Sequence, residues 1–285
     1  MKRPDFRLVH RLRVRWAEVD MQKIVFNAHY LMYFDTAITD YWRALGLPYE
    51  EAMLQLGGEL YVKKASLEFH GSARFEDQLE VAMKCARVGN SSMIFSGAIF
   101  RGDELLISCE LVYVFADPAS QTSRPVPDAL RSLVARFEAG EPVLEIKTGD
   151  WATLGRDARA LRTAVFVQEQ GIAPASEWDE ADGTALHAVA YNALGQAIAT
   201  ARLVGLAGQR AKIGRMAVHR AVRGSLVGQR LLAALLDAAR QRGDTEVVLH
   251  AQQSAEGFYL RQGFLPRGEA FEEVGIAHIE MVRAL

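Results

Sequence analysis

Residues 13–30 read Arg13-Val14-Arg15-Trp16-Ala17-Glu18-Val19-Asp20-Met21-Gln22-Lys23-Ile24-Val25-Phe26-Asn27-Ala28-His29-Tyr30. Residues 8–16 predict a strand, and a short loop then carries Asp20 into the start of a helix. Asn27 is placed to cap that helix, because its side-chain oxygen can accept a backbone N–H of the first turn. Tyr30, Phe34, Ala37, Ile38, Tyr41, Trp42 and Leu45 recur at intervals of three and four, which sets them on one apolar stripe. Gly46 and Pro48 stop the helix.

Working outward, strand-like runs cover 60–69, 78–88, 93–100 and 105–115. Gly89-Asn90 and Gly102-Asp103 mark tight turns, so the last three runs form an antiparallel meander. One long helix with about five antiparallel strands is an α+β plan. Residues 128–137 predict a short helix capped by Asp128, and Ala139-Gly140-Glu141-Pro142 breaks the pattern. The expected division is a first domain over 1–140, a short linker, and a second domain over 149–285.

The second half alternates. Helices are expected at 155–167, 225–242 and 255–262, and strands at 185–191, 197–203, 211–218, 247–251, 265–270 and 275–282. The run 247–251 reads as a buried apolar strand. The result is an α/β or α+β domain with a mixed sheet.

Composition bounds the function. The chain has 285 residues, of which 50% are hydrophobic and 24% charged, with net charge −2. That is ordinary globular composition, without the basic footprint of a nucleic-acid binder or a polybasic membrane anchor. Cys85 and Cys109 suit neither a disulfide framework nor a zinc site, so no metal is expected and a reducing compartment is. No apolar run approaches the ~20 residues of a membrane helix, and no signal-peptide core follows Met1. The expectation is a soluble, cytoplasmic protein.

Two stretches carry chemistry. A helix N-terminus exposes unpaired backbone N–H groups that stabilise a developing oxyanion, and a carboxylate beside them can attack a carbonyl or activate water. Asp20 has that position, although its spacing alone favours a loop residue making an Asx turn. Glu18 and Glu68 are weaker candidates for a second carboxylate. The second stretch is Ile213-Gly214-Arg215-Met216-Ala217-Val218-His219-Arg220-Ala221-Val222-Arg223-Gly224-Ser225-Leu226-Val227-Gly228. A strand followed by a glycine-containing loop and a helix aims backbone donors at an anion such as a pyrophosphate. An ordinary strand–turn–helix junction looks similar.

The first half resembles hotdog-fold acyl-CoA thioesterases of the 4-hydroxybenzoyl-CoA thioesterase type. Asp20, Ile24-Val25-Phe26, Asn27 with Tyr30, and Ala73-Arg74-Phe75-Glu76-Asp77-Gln78-Leu79 match in order over about residues 6–137. The resemblance implies an antiparallel sheet wrapped on the long helix. It makes Asp20 catalytic base or nucleophile, with backbone amides near Ala28 and His29 polarising the thioester carbonyl. It also implies a homodimer or homotetramer, with sites between subunits. Lys23 stands where that family usually has Gly.

The second half resembles GNAT-type N-acetyltransferases over about residues 150–285. Arg223 and Gly228 match the ends of that family's acetyl-CoA loop, while Leu226 stands at an inner Gly position. The resemblance implies that Met216, Val218, Arg223, Gly224, Ser225, Leu226, Val227 and Gly228 hold acetyl-CoA. Ser254-Ala255-Glu256-Gly257-Phe258-Tyr259-Leu260-Arg261-Gln262-Gly263-Phe264 matches the following helix, which implies Tyr259 as general acid to the departing thiolate. Glu169 or His187 is the expected base for the amine. The acidic run Glu177, Asp179, Glu180 and Asp182 either attracts that amine or is a solvated loop. The implied ligands are acyl-CoA and acetyl-CoA as substrates, with no tightly bound cofactor and an amine acceptor. The competing reading keeps the thioesterase and makes the second half a non-catalytic CoA sensor or oligomerisation module.

Overall fold

A computed structural model describes residues 1–285, and the chain divides into two compact units, Met1–Val143 and Leu144–Leu285. In the first unit, strands β1 (Leu8–Arg13), β2 (Glu59–Phe69), β3 (Gln78–Val88), β4 (Ser92–Arg101) and β5 (Glu104–Ala116) form one antiparallel sheet in the order β1-β3-β4-β5-β2. Helix α1 (Asn27–Ala44) lies on it with the expected stripe buried. A Cβ at Gly97 would come within 2.5 Å of the Phe34 ring, so this glycine sets how closely helix and sheet approach. Tyr41 packs edge-on to Phe95 and Phe137, the latter on α3 (Asp128–Ala139), which follows the short helix α2 (Tyr49–Leu56).

The second unit has a seven-stranded sheet in the order β11-β12-β10-β9-β8-β7-β6. Its strands are β6 (Leu144–Gly149), β7 (Leu186–Asn192), β8 (Ala197–Leu206), β9 (Arg210–Val218), β10 (Glu246–Gln252), β11 (Leu265–Glu273) and β12 (Ile276–Ala284). Helices are α4 (Trp151–Arg162), α5 (Pro174–Glu177), α6 (Val227–Arg242) and α7 (Glu256–Arg261). Only β9 and β10 run parallel, which makes the sheet mixed as expected. The apolar face of α6, including Leu231, Leu235 and Ala239, covers Ile213, Val247 and Leu249.

Several local expectations fail for identifiable reasons. Asn27 and Asp128 are the first helical residues rather than caps, and Phe26 and Pro127 hold the cap positions without side-chain hydrogen bonds. Trp16 lies in a single 3-10 turn beyond β1. Helix α2 was not expected, because Pro48 marks its start as well as the preceding stop. Helix α4 begins earlier than expected, since the Asp150 carboxylate caps it by accepting from the Thr153 amide at 2.9 Å. Residues 144–148, expected as linker, belong to strand β6.

Candidate functional sites

In the first unit the Asp20 loop is a tight turn. The Lys23 amide donates to the Asp20 carbonyl at 3.0 Å and the Asp20 amide to the Ile24 carbonyl at 2.9 Å. Lys23 closes it with φ +62°, a left-handed conformation that glycine adopts without steric cost, so the unusual residue sits at the strained position. Oδ1 of Asp20 accepts from the Gln22 amide at 2.8 Å. The Asx turn engages Oδ1. Asp20, Phe26, Asn27, Tyr30, Phe69 and Ser72 line one open concavity at the start of α1. The loop is held from behind, where the Val25 amide donates to the Ala73 carbonyl and the Ala73 amide to the Tyr30 hydroxyl, each at 2.9 Å.

Of the two expected amide donors, His29 already donates to the Phe26 carbonyl at 2.9 Å. Asn27 and Ala28, in the first turn, have no carbonyl within the helix to bond. The His29 ring stands edge-on to Phe26, and its buried Nδ1 has no hydrogen-bond partner. Glu18 is fully committed. It is 3% exposed and accepts from the Arg15 backbone and side chain and from the Tyr33 hydroxyl. Burial alone would raise its carboxyl, but these hydrogen bonds outweigh burial and hold it below the usual range. Glu68 is exposed on β2 beside His70 and Ser108, outside the concavity.

In the second unit, β9 and β10 pair only through Glu246↔Arg210, Val247↔Ala211 and Val248↔Lys212, and then separate. Against β8, β9 carries an irregularity between Gly214 and Ala217, where Arg215 has φ +53°. Such a bulge bends the strand and frees backbone groups from the ladder. A cavity of about 370 Å³ opens there, lined by Phe166, Met216, Leu249 and Tyr259 among others. Phe166 comes from a π-helical turn (Thr163–Glu169) that continues α4. The Tyr259 hydroxyl donates to the Met216 sulfur at 3.4 Å, and burial pushes its phenol up to about 12.

Residues 223–226 lead into the 16-residue helix α6. Gly224 has φ +79°, whereas Leu226 has φ −77° and an exposed side chain, so glycine geometry is required at the former and not at the latter. A Cβ on Gly228 would lie 3.2 Å from Met216 and 3.6 Å from Val218, which makes Gly228 the contact between α6 and β9. Arg223 bonds the Val218 carbonyl at 3.0 Å and grips both carboxylate oxygens of Glu169 at 2.5 and 2.7 Å. Ser225 donates to the Val222 carbonyl at 2.6 Å.

The hydrogen bond from Arg223 holds the Glu169 carboxyl low, and Glu169 does not line the cavity. His187 is 1% exposed, bonds the Asp182 carbonyl, and packs on Trp151 at 4.8 Å. Burial lowers it, and it does not line the cavity. Within the acidic run, Glu180 is exposed, whereas Glu177, Asp179 and Asp182 are paired with arginines. Arg162 pairs with Glu177 and Asp182, Arg202 with Asp179 and Asp182, and Arg215 with Glu177 and Asp179.

Sequence reasoning missed the polar wall of this cavity. Lys212, His250, Glu273 and His278 line it from the face of the sheet opposite α6. The signal was His250 itself, which interrupts the run 247–251 that read as wholly apolar.

Two family profiles match the chain. One, described as Thioesterase-like superfamily, covers residues 14–134, and the other, described as Acetyltransferase (GNAT) domain, covers residues 167–285. The chain is 36% identical over 127 residues to UPF0039 protein C11D3.02c of Schizosaccharomyces pombe, covering 44% of this chain and 84% of that one. It is 25% identical over 128 residues to the acyl-CoA thioester hydrolase YbgC of Escherichia coli O6:H1, covering 45% and 92%. Among solved structures, Escherichia coli ElaA aligns with TM-score 0.45 at 32% identity, covering 49% of this chain and 99% of that one. The chain belongs to the GNAT acetyltransferases through its second unit, and its first unit matches the thioesterase-like superfamily over residues 14–134.

Proposed function

We propose that the protein is bifunctional, hydrolysing an acyl-CoA thioester in its first unit and transferring acetyl from acetyl-CoA to an amine in its second. The observation that carries the first activity is Asp20 on the wall of an open concavity at the N-terminus of an 18-residue helix. Asp20 acts as base on water or as nucleophile, and the Asn27 and Ala28 amides receive the charge that develops on the carbonyl oxygen. Strand β2 supports assembly into a homodimer or homotetramer. It is an edge strand of eleven residues, with Tyr61, Val62 and Phe69 exposed.

For the second activity, the parting of β9 and β10 beside Tyr259 supports a slot for the thioester. The amides of Val227 and Gly228, at the N-terminus of α6, receive the pyrophosphate, while Arg223 braces the loop by bonding Glu169 and the Val218 carbonyl. Tyr259 protonates the thiolate as it leaves. No group of acidic, histidine or cysteine side chains is arranged to hold a metal, and the proposed chemistry uses none.

The test is an acyl-CoA panel assayed for thiol release, with and without primary amines. Amine-independent release lost in Asp20→Asn, together with amine-dependent release from acetyl-CoA retained in that variant, is the expected result. Calorimetric binding of acetyl-CoA with no transfer to any amine would instead make the second unit a CoA sensor.

A further inference from the structure

We infer that His250, oriented by Glu273, is the base that takes a proton from the acceptor amine. This deepens the acetyltransferase reading and rests on it. Four observations lead to His250. It lies on the wall of the same cavity as Tyr259. Its Nδ1 is 2.9 Å from Oε2 of Glu273. The carboxylate can only accept, so Nδ1 carries the hydrogen and the lone pair resides on Nε2. The Lys212 ammonium stands 3.3 Å from both ring nitrogens. Equal distances put it beside the ring and off the line of either lone pair, so Nε2 stays available. Finally, the other acidic groups on the cavity are engaged by arginines: Glu177 by Arg162 and Arg215, and Asp179 by Arg202 and Arg215.

The groups facing His250 come from three strands. Lys212 is on β9, Glu273 on β11, and Glu280 on β12 at 3.9 Å from Nε2. Glu280 is itself held by Arg267 at 2.6 Å. Phe271 stands edge-on to the His250 ring at 4.9 Å and stacks on His278, whose Nδ1 is fixed to the Ile276 carbonyl at 2.8 Å. His278 has no carboxylate to orient it and serves as the control.

The step balances as follows. One proton of the ammonium passes to Nε2 of His250, and the freed lone pair attacks the acetyl carbonyl. The C–S bond breaks as the intermediate collapses, and sulfur takes the Tyr259 proton. The second nitrogen proton returns to Tyr259 as the amide forms. His250 releases its proton to solvent, so acetyl-CoA and an ammonium give an amide, CoA and one proton.

The full chain is assayed with acetyl-CoA and two probes, n-propylamine and hydroxylamine. The first is protonated at neutral pH and needs a base, and the second is already neutral. His250→Gln keeps a side chain that can bond Glu273. It should lose roughly 100-fold in kcat/KM with propylamine and no more than a few-fold with hydroxylamine. Its pH profile should lack the acid limb seen in the wild type. Glu273→Gln should show the same selectivity to a smaller degree, and His278→Gln should show none. Equal losses with both nucleophiles, or an unchanged pH profile, would overturn the role of His250 and leave the acetyltransferase reading standing. Wild-type protein that transfers to neither probe would overturn both.

Discussion

At the scale of single residues, the two proposed sites use opposite devices. Asp20 sits half-exposed in a hydrogen-bonded turn at the mouth of an open concavity. Tyr259 is buried among apolar groups, where a phenol stays neutral. For Asp20→Asn the fold should survive, because the asparagine oxygen still accepts from the Gln22 amide. Hydrolysis should fall by about 100-fold or more, since an amide is neither base nor nucleophile. Steady-state thiol release measures this, and wild-type rates in the variant would remove Asp20 from the reaction. For Tyr259 the raised value fixes the sign of the pH effect. The proton-donating form persists throughout the neutral range, so Tyr259 should add no alkaline limb to kcat up to about pH 10, the ordinary phenol value. Tyr259→Phe should lower kcat by about ten-fold or more while changing acetyl-CoA affinity little, because the hydroxyl matters as the thiolate leaves. An unchanged kcat would exclude it.

At the scale of elements, the chain shows what periodicity reveals and what it hides. The stripe from Tyr30 to Leu45 and the meander from β3 to β5 were legible because side-chain period and turn glycines are local signals. Asp20 and Tyr259 were singled out by ordered motifs, and each lines a concavity in the fold. The amine side was not. Glu169 and His187 looked like candidates because a sequence lists titratable groups without their partners, and only the fold joins Glu169 to Arg223 across 54 positions. His250 and Glu273 meet across 23 positions, on strands separated in the sheet by β12. The α6 loop offers a test at this scale. Gly228→Ala presses on the mobile end of Met216 and should be tolerated. Gly228→Val adds a branched side chain against Val218 and should force α6 away from β9, at a cost of about 1–3 kcal/mol. Acetyl-CoA affinity, read by calorimetry, should fall with it. Unaltered affinity and melting temperature in the valine variant would show that this contact does not shape the loop.

At the scale of the whole molecule, the boundary decides which fragment can work alone. Sequence breaks at Gly140 and Pro142 suggested a second domain starting at 149, yet β6 pairs with β7 from Leu144↔Asn192 to Gly149↔His187. Leu144 and Ile146 also pack against the core under α6. Strand β7 is buried along most of its length, so deleting β6 exposes an apolar strand with unpaired backbone groups, the arrangement that templates aggregation. A fragment of residues 144–285 should therefore fold and bind acetyl-CoA. One of residues 149–285 should be less stable by about 2–4 kcal/mol, the contribution expected from two partly buried aliphatic side chains and their strand. Urea denaturation of the two fragments, with sedimentation to detect association, measures both effects. Equal midpoints and monomeric behaviour in the shorter fragment would show that β6 is an accessory strand and return the functional boundary to residue 149.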